Sequence, residues 1–389
     1  MVNDAHPSPP LSHDAFLETK HFPSLDGLRC VAILGVIWHH TVREVPWLPG
    51  SGLGFLGVDL FFVLSGFLIV TLLLREKDRY GRISLRKFYA RRTLRIFPVY
   101  YAILLGLAAA MLLFRRGTDT GDEFFKLLPW YLTYTSNWIP EHAIMLAITW
   151  SLATEEQFYI LWPTLEKWLK PRATLVALAA LLVVNQLVNF RVITPWLDAT
   201  LGIESAKLEV MQSTFTPILL GVLLAHALHG RRSYGVVSAI TGRPWHAPFY
   251  AAILALLMAL APADIAGFPR LAIHLLMTLG LAACVTCPRH ALAGALNWGP
   301  VVRIGVISYG MYLFHLWGID AARHLLAMLS LDDSPWWVLA GGLCVTIVMA
   351  EISYRFFESR FLTLKERFSM LQSQGKSGHG GTAEKQVRA

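Results

Sequence analysis

The chain is poor in charge and in cysteine. Asp, Glu, Lys and Arg make up 15% of its 389 residues against 55% hydrophobic, and the mean hydropathy is +0.49. That balance excludes an ordinary soluble domain, in which about a quarter of the residues carry charge. Four cysteines give no disulfide framework. Cys284 and Cys287 form a C-x-x-C inside an apolar run and read as small packed residues, not as a redox or metal pair. No His-rich ligand spacing is present and the acidic residues are dispersed, so no metal site is expected. The opening MVNDAHPSPPLSHDAF lacks the basic-then-apolar order of a signal peptide, and no internal repeat is evident.

Long apolar runs are what the chain does have. Segment 53–74 holds a single charge and 97–114 holds none, each near the length that crosses hydrocarbon as a helix. The expected fold is all-α: a polytopic integral membrane protein of about ten transmembrane helices. These fall near 28–40, 53–74, 97–114, 145–168, 173–190, 211–229, 247–264, 270–287, 304–327 and 336–357.

Orientation follows from the basic residues. Residues 75–95, REKDRYGRISLRKFYARRTLR, carry nine Lys or Arg and two acidic residues. The positive-inside rule makes this loop cytoplasmic, and an even helix count then puts both termini on the same side. Loops 229–235 and 288–294 and the basic residues after 354 also land inside, with Arg115 and Arg116 as the exception. The parity requires 124–139, FFKLLPWYLTYTSNWI, to be interfacial or re-entrant. The expected division is a cytoplasmic tail at 1–21, a transmembrane domain at 22–368 and a disordered polar tail at 369–389. A net charge of +8 is explained by its position on cytoplasmic loops, so no nucleic-acid partner is implied.

The first span, LDGLRCVAILGVIWHHT, carries ionisable groups at both ends. Arg29 and His40 are eleven residues apart, about 20° beyond three full turns, so they share one helix face roughly 16 Å apart along the axis. His39 points about 80° away from Arg29 by the same arithmetic. Asp26 can pair with Arg29 at i, i+3. The bland account is that Arg29 snorkels to the interface and His40 caps the helix end.

Other segments extend the pattern. LDGLR-x10-H, GVDLFFVLSGFLI (57–69), FYARRTLRIFP (88–98) and TWSLATEEQFYILWP (149–163) together resemble, in order, the opening motifs of the membrane acyltransferase 3 family. SYGMYLFHLW (308–317) and FFESRF (356–361) are similar to its closing segments more loosely. Cys30 departs from the family, which usually has glycine there. The resemblance implies a stand-alone member without an appended extracytoplasmic domain. It implies O-acylation of a sugar or related hydroxyl acceptor, with the counterpart of His40 catalytic and the arginine pair in the acyl-CoA site.

The remaining candidates are weighed residue by residue. An ionised Asp59 inside the second span is costly unless paired, and its depth makes His40 its expected partner. Ser65 and Gly66 read as residues that permit close helix packing. Arg92 and Arg95, at i, i+3, suit the phosphates of a CoA-type donor, whereas Arg91 and the lysines suit anchoring to anionic lipid. Ser151, Glu155 and Tyr159 recur every four residues as one polar stripe, and Glu156 is turned about 100° from it. His315 lies near Tyr312 and Ser308 and reads as a hydrogen-bonding residue of the bundle.

The sequence therefore points to a multi-pass O-acyltransferase of the cell (inner) membrane. His40, Asp59 and Glu155 are its catalytic candidates, Arg29, Arg92 and Arg95 its acyl-CoA candidates, and Ser151, Tyr159 and His315 further site candidates. Acyl-CoA, by default acetyl-CoA, is a co-substrate and no cofactor is held permanently. The expected partners are acyl-CoA, a sugar-containing or lipid-linked acceptor, and membrane lipids. The alternatives are a transporter or flippase of a lipid-linked saccharide, or a non-catalytic subunit of polysaccharide assembly. Transport favours inverted repeats and broken helix pairs, and neither is visible.

Overall fold

A computed structural model of the protein describes residues 10–42, 45, 47–140, 146–201, 212, 214–262, 264–366 and 368. The 369–389 segment lies outside them. Apart from one isolated bridge between Val45 and Leu48, the described residues are helical or irregular, as the apolar runs require. A short helix α1 (His13–Glu18) precedes α2 (Ser24–Thr41), and a 3-10 turn (Ser51–Phe55) leads into α3 (Leu56–Tyr80). Gly81, in the left-handed conformation at φ 68°, ends α3. The Ser84 side chain caps α4 (Leu85–Phe114), and that of Thr118 caps α5 (Asp119–Leu132).

The chain continues through α6 (Thr149–Trp168), α7 (Pro171–Asn189), α8 (Thr194–Leu201), α9 (Phe215–His229) and α10 (Arg231–Thr241). Then come α11 (His246–Leu260), α12 (Phe268–Thr286), α13 (Ala293–Leu296) and α14 (Gly299–Met328). Helix α15 (Pro335–Ser353) passes through a π-helical turn (Tyr354–Glu358) into α16 (Ser359–Glu366). Proline in the first turn starts α7, α12, α14 and α15, where its missing N–H costs nothing.

Each of the ten segments expected to span is helical over most of its length. Among the described residues, five stretches are long and apolar enough to cross a membrane: Ser51–Tyr80, Leu85–Phe114, Pro171–Asn189, Phe268–Thr286 and Pro335–Leu364. Helices α9 and α11 are apolar but shorter, and α2, α6 and α14 carry polar groups along their length. The protein is thus a polytopic helical bundle. Segment 124–139 does not form a crossing helix. At 14 residues, α5 reaches only about 21 Å, short of the roughly 30 Å of hydrocarbon, and a 3-10 turn (Ser136–Trp138) follows. Of residues 229–235, expected as a loop, His229 ends α9 and 231–235 begin the amphipathic α10.

The N-terminal segment 1–21, expected as a cytoplasmic tail, is packed against the bundle from Leu11 onward. Tyr234 donates to the Leu11 carbonyl at 2.6 Å, Arg75 donates to the carbonyls of Phe16 and Thr19, and Phe16 is buried. Helices α3 and α9 cross in close contact. The backbone of Ile218 occupies the place a Gly66 side chain would need, and the backbone of Val63 occupies that of Gly221. Only glycine lets the two helices approach this closely.

Candidate active site

Helices α2, α3, α4, α6 and α14 enclose a cavity of about 100 Å³. On α3 its wall is Val58, Phe61, Phe62, Leu64, Ser65 and Leu68, positions that fall on one side of the helix. The α6 wall is the polar stripe read from the sequence: Ser151, Glu155 and Tyr159. Arg92 and Arg95 enter from α4, Arg29 from α2, and Tyr309 and Tyr312 from α14. Six candidates separated by up to 130 positions thus share one chamber.

The stripe is fixed from the facing helix. Ser65 donates from Oγ to Glu155 Oε1 at 2.6 Å, and Tyr159 donates to Ser65 Oγ at 3.2 Å. The Arg92 guanidinium lies over the Tyr159 ring, 4.7 Å from its centroid, a cation–π arrangement that holds the charge toward the chamber. Ser65 therefore does more than permit packing, which is the work of its neighbour Gly66. Arg91 turns away, to Glu76 at 3.4 Å, so the i, i+3 pair is separated from it as its spacing predicts. Arg29 is paired with Asp26. Glu156, one residue round the helix from Glu155, does not line the chamber.

At the far end of the chamber, the Tyr312 hydroxyl lies 2.6 Å from Ser151 Oγ and donates to the Ile148 carbonyl at 2.9 Å. His40 lies outside the chamber. Its ring stacks on that of His315, with centroids 4.9 Å apart and 22° between planes. His315 Nδ1 donates to the Tyr312 carbonyl at 2.6 Å, and the two rings of Tyr312 and His315 are 5.6 Å apart. His315 Nε2 is buried with no hydrogen-bond partner. His39, on the other face of α2, meets the edge of Phe55 at 5.5 Å.

Asp59 corrects the expected pairing. Its carboxylate is taken by His274 Nε2 at 2.9 Å and by Arg270 at 3.6 Å, both on α12, and not by His40. The reason is azimuth. Val58 faces the chamber, and Asp59, one residue on, is turned about 100° from it toward α12. Sequence reasoning matched depth and passed over direction. It also passed over Arg270 and His274, whose i, i+4 spacing in an otherwise apolar helix was a usable signal, because such groups in lipid must be paired. Cys284 and Cys287 are buried free thiols.

The chamber can receive an anionic ligand beside three guanidiniums, one of them paired with Asp26, and it sets a partly buried carboxylate and several hydroxyls around that ligand. Among the described residues, no group of three His, Cys, Asp or Glu side chains is placed to hold a metal ion.

Comparison with known proteins gives this geometry a context. The chain is 31% identical over 372 residues to "Putative peptidoglycan O-acetyltransferase YrhL" of Bacillus subtilis (strain 168), covering 88% of this chain and 55% of that protein. It is 30% identical over 368 residues to "O-acetyltransferase OatA" of Staphylococcus aureus (strain NCTC 8325 / PS 47), covering 87% of this chain and 57% of that one. The chain thus spans a little over half the length of these relatives. No solved structure matches it. The family described as the acyltransferase domain, acyltransferase 3, matches residues 22–354. That match covers the helices that build the chamber, and the chain belongs to the acyltransferase 3 family.

Proposed function

We propose that the protein is a membrane-bound O-acyltransferase that moves an acyl group, acetyl in the first instance, from acyl-CoA to a hydroxyl of a sugar-containing acceptor. The observation that carries this reading is the meeting of Arg29, Arg92 and Arg95 with the Ser65–Glu155–Tyr159 network in one chamber. Forked guanidiniums bind phosphate oxygens strongly, and a CoA donor presents several phosphates at the end opposite its thioester. The basic 75–95 segment, read as cytoplasmic with both termini, faces the compartment that supplies such a donor. The names of the relatives support acetyl as the group and a cell-wall glycan as the class of acceptor, and they favour acyl transfer over transport of a lipid-linked saccharide.

In this reading Arg92 and Arg95 hold the phosphates, with Arg29 beside them, and the thioester points up the chamber toward Tyr312. His40 takes the proton of the acceptor hydroxyl. The oxygen attacks the thioester carbonyl, the C–S bond breaks, and the CoA thiolate leaves and takes up a proton. Glu155 shapes the electrostatics of the chamber from its Ser65 hydrogen bond, and the stack on His315 orients His40. Asp59 acts at a distance, by neutralising Arg270. The test is acetyl transfer from radiolabelled acetyl-CoA to isolated cell-wall glycan by the purified protein in lipid nanodiscs. Transfer lost in His40→Ala supports the assignment; transfer equal to protein-free nanodiscs would sink it.

A further inference from the structure

A second basic site lies outside the chamber, where the end of α15, read as cytoplasmic, meets the start of α14. Glu351 takes two arginines there. Arg303 of α14 forks onto both of its oxygens, from Nε at 3.0 Å and from Nη2 at 2.8 and 2.7 Å. The same guanidinium lies over the Tyr354 ring, 4.5 Å from its centroid. Arg355 donates to the carboxylate through Nε, and among the described residues its two Nη groups have no partner. Two guanidiniums against one carboxylate leave one positive charge in excess. The arginine side chains are 40% and 69% exposed and that of Glu351 is 22% exposed, so the excess sits at the surface. None of these residues lines the chamber.

The surface that leads to this cluster is apolar. Trp337, Cys344, Val348 and Ile352 of α15 are exposed, and at about 100° per residue they fall within roughly 80° of one another and of Arg355. One stripe thus runs from an indole to a guanidinium about 27 Å away along the axis, close to the hydrocarbon thickness of a bilayer. From this arrangement we infer that Arg303 and Arg355 bind the headgroup phosphate of an anionic phospholipid of the cytoplasmic leaflet, with its acyl chains along Val348 and Ile352. Charge selects the occupant. A guanidinium fork matches phosphate oxygens in pairs. In a zwitterionic lipid the ammonium already balances the phosphate, whereas the phosphate of phosphatidylglycerol is unbalanced and neutralises the excess charge of the cluster. Glu351 sets both forks before the lipid arrives, which reduces the ordering cost of binding. The lipid touches α14 through Arg303 and α15 through its chains, and so fastens one to the other.

The test is native mass spectrometry of the full chain released from detergent, with phosphatidylglycerol, phosphatidylcholine of the same chains, or glycerol phosphate added. Wild type should take phosphatidylglycerol about fivefold or more tightly than phosphatidylcholine, the factor that one arginine near a membrane surface is worth to an anionic lipid. It should leave glycerol phosphate, which has the headgroup chemistry without the chains, unbound. Arg355→Gln removes the excess charge and keeps the Arg303–Glu351 fork, so phosphatidylglycerol binding should weaken about fivefold or more. Arg355→Lys, which keeps the charge and loses the fork, should fall between the two. Arg172→Gln, the same change at an exposed arginine in the first turn of α7, should bind as wild type does. Arg355→Met replaces Arg355→Gln should the latter fail to fold. A folded Arg355→Gln or Arg355→Met with wild-type affinity, an equal loss in Arg172→Gln, or glycerol phosphate bound as tightly as the lipid would overturn the site.

Discussion

Asp59 of α3 and His274 of α12 meet at 2.9 Å although 215 residues separate them in the chain. Arg270 lies on the same carboxylate oxygen at 3.6 Å, so one anion answers two nitrogen groups inside the bundle. Arg270 Nε and His274 Nδ1 are buried without hydrogen-bond partners, which leaves the carboxylate as their main compensation. Asp59→Ala should therefore destabilise the protein by about 3–5 kcal/mol, the cost of an uncompensated buried charge. The thermal midpoint in detergent should fall sharply, and Arg270→Met in the same chain should recover part of the loss. Equal midpoints for wild type and Asp59→Ala would remove the pair from the account of stability.

The two adjacent histidines should behave differently. His40 stacks on His315, beside Tyr312 at the chamber's end, whereas His39 packs on Phe55. His40→Ala should lower acyl transfer by about 10²–10⁴-fold, the usual contribution of a general base, and His39→Ala should retain substantial activity. Matched amounts of each variant in membranes, assayed for acceptor acylation, decide the matter. An inactive His39→Ala beside an active His40→Ala would reverse the assignment.

Arg92→Ala combined with Arg95→Ala should act on the donor. Each lost charge-assisted bond is worth about 1.5–3 kcal/mol, so KM for acyl-CoA should rise about a hundredfold or more. The acceptor's KM should change little. If the donor KM of well-folded double variant matched wild type, the arginines would be lipid anchors.

Ser65→Ala removes the hydroxyl that bonds Glu155 and receives Tyr159. A partly buried carboxylate that loses a donor pays on the order of 1 kcal/mol. Activity should drop several-fold, with Ser65→Thr partly restoring it. A Ser65→Ala enzyme with full activity would reduce Ser65 to packing.

Topology has its own check. In a cysteine-free background, a single cysteine in place of Tyr80 should resist a membrane-impermeant thiol reagent in intact cells and react once the membrane is opened. Efficient labelling from outside would invert the orientation drawn from the positive-inside rule.

The parts of this fold that local periodicity encodes were legible. Ser151, Glu155 and Tyr159 fell on one face, Arg92 and Arg95 separated from Arg91, and the ten apolar segments became helices, because each depends on a period of 3.6 residues within one element. What was hidden depends on which helix stands beside which. Asp59 found His274 and Arg270, and Ser65 found Glu155, through packing directions that hydropathy does not record. His40 likewise faces His315 because α2 and α14 lie side by side, with the Asp26 backbone filling the space beside Gly305. The packed α1 was missed for another reason: its anchors, Arg75 and Tyr234, are remote residues that grip main-chain carbonyls.

The glycine crossing of α3 and α9 gives the second span a fixed phase. Gly66 keys α3 against Ile218, Ser65 one step before it reaches α6, and Asp59 six residues earlier reaches α12. All three engagements are read off one rigid rod, on which Asp59 and Ser65 stand about 9 Å and roughly 240° apart. Deleting a single residue between them would advance one group by about 100° relative to the other, and the rod could then satisfy the carboxylate's partners or the serine's, never both. Length within 59–66 is thus a quantity the bundle measures, while the turn after Gly81 is free of that measurement.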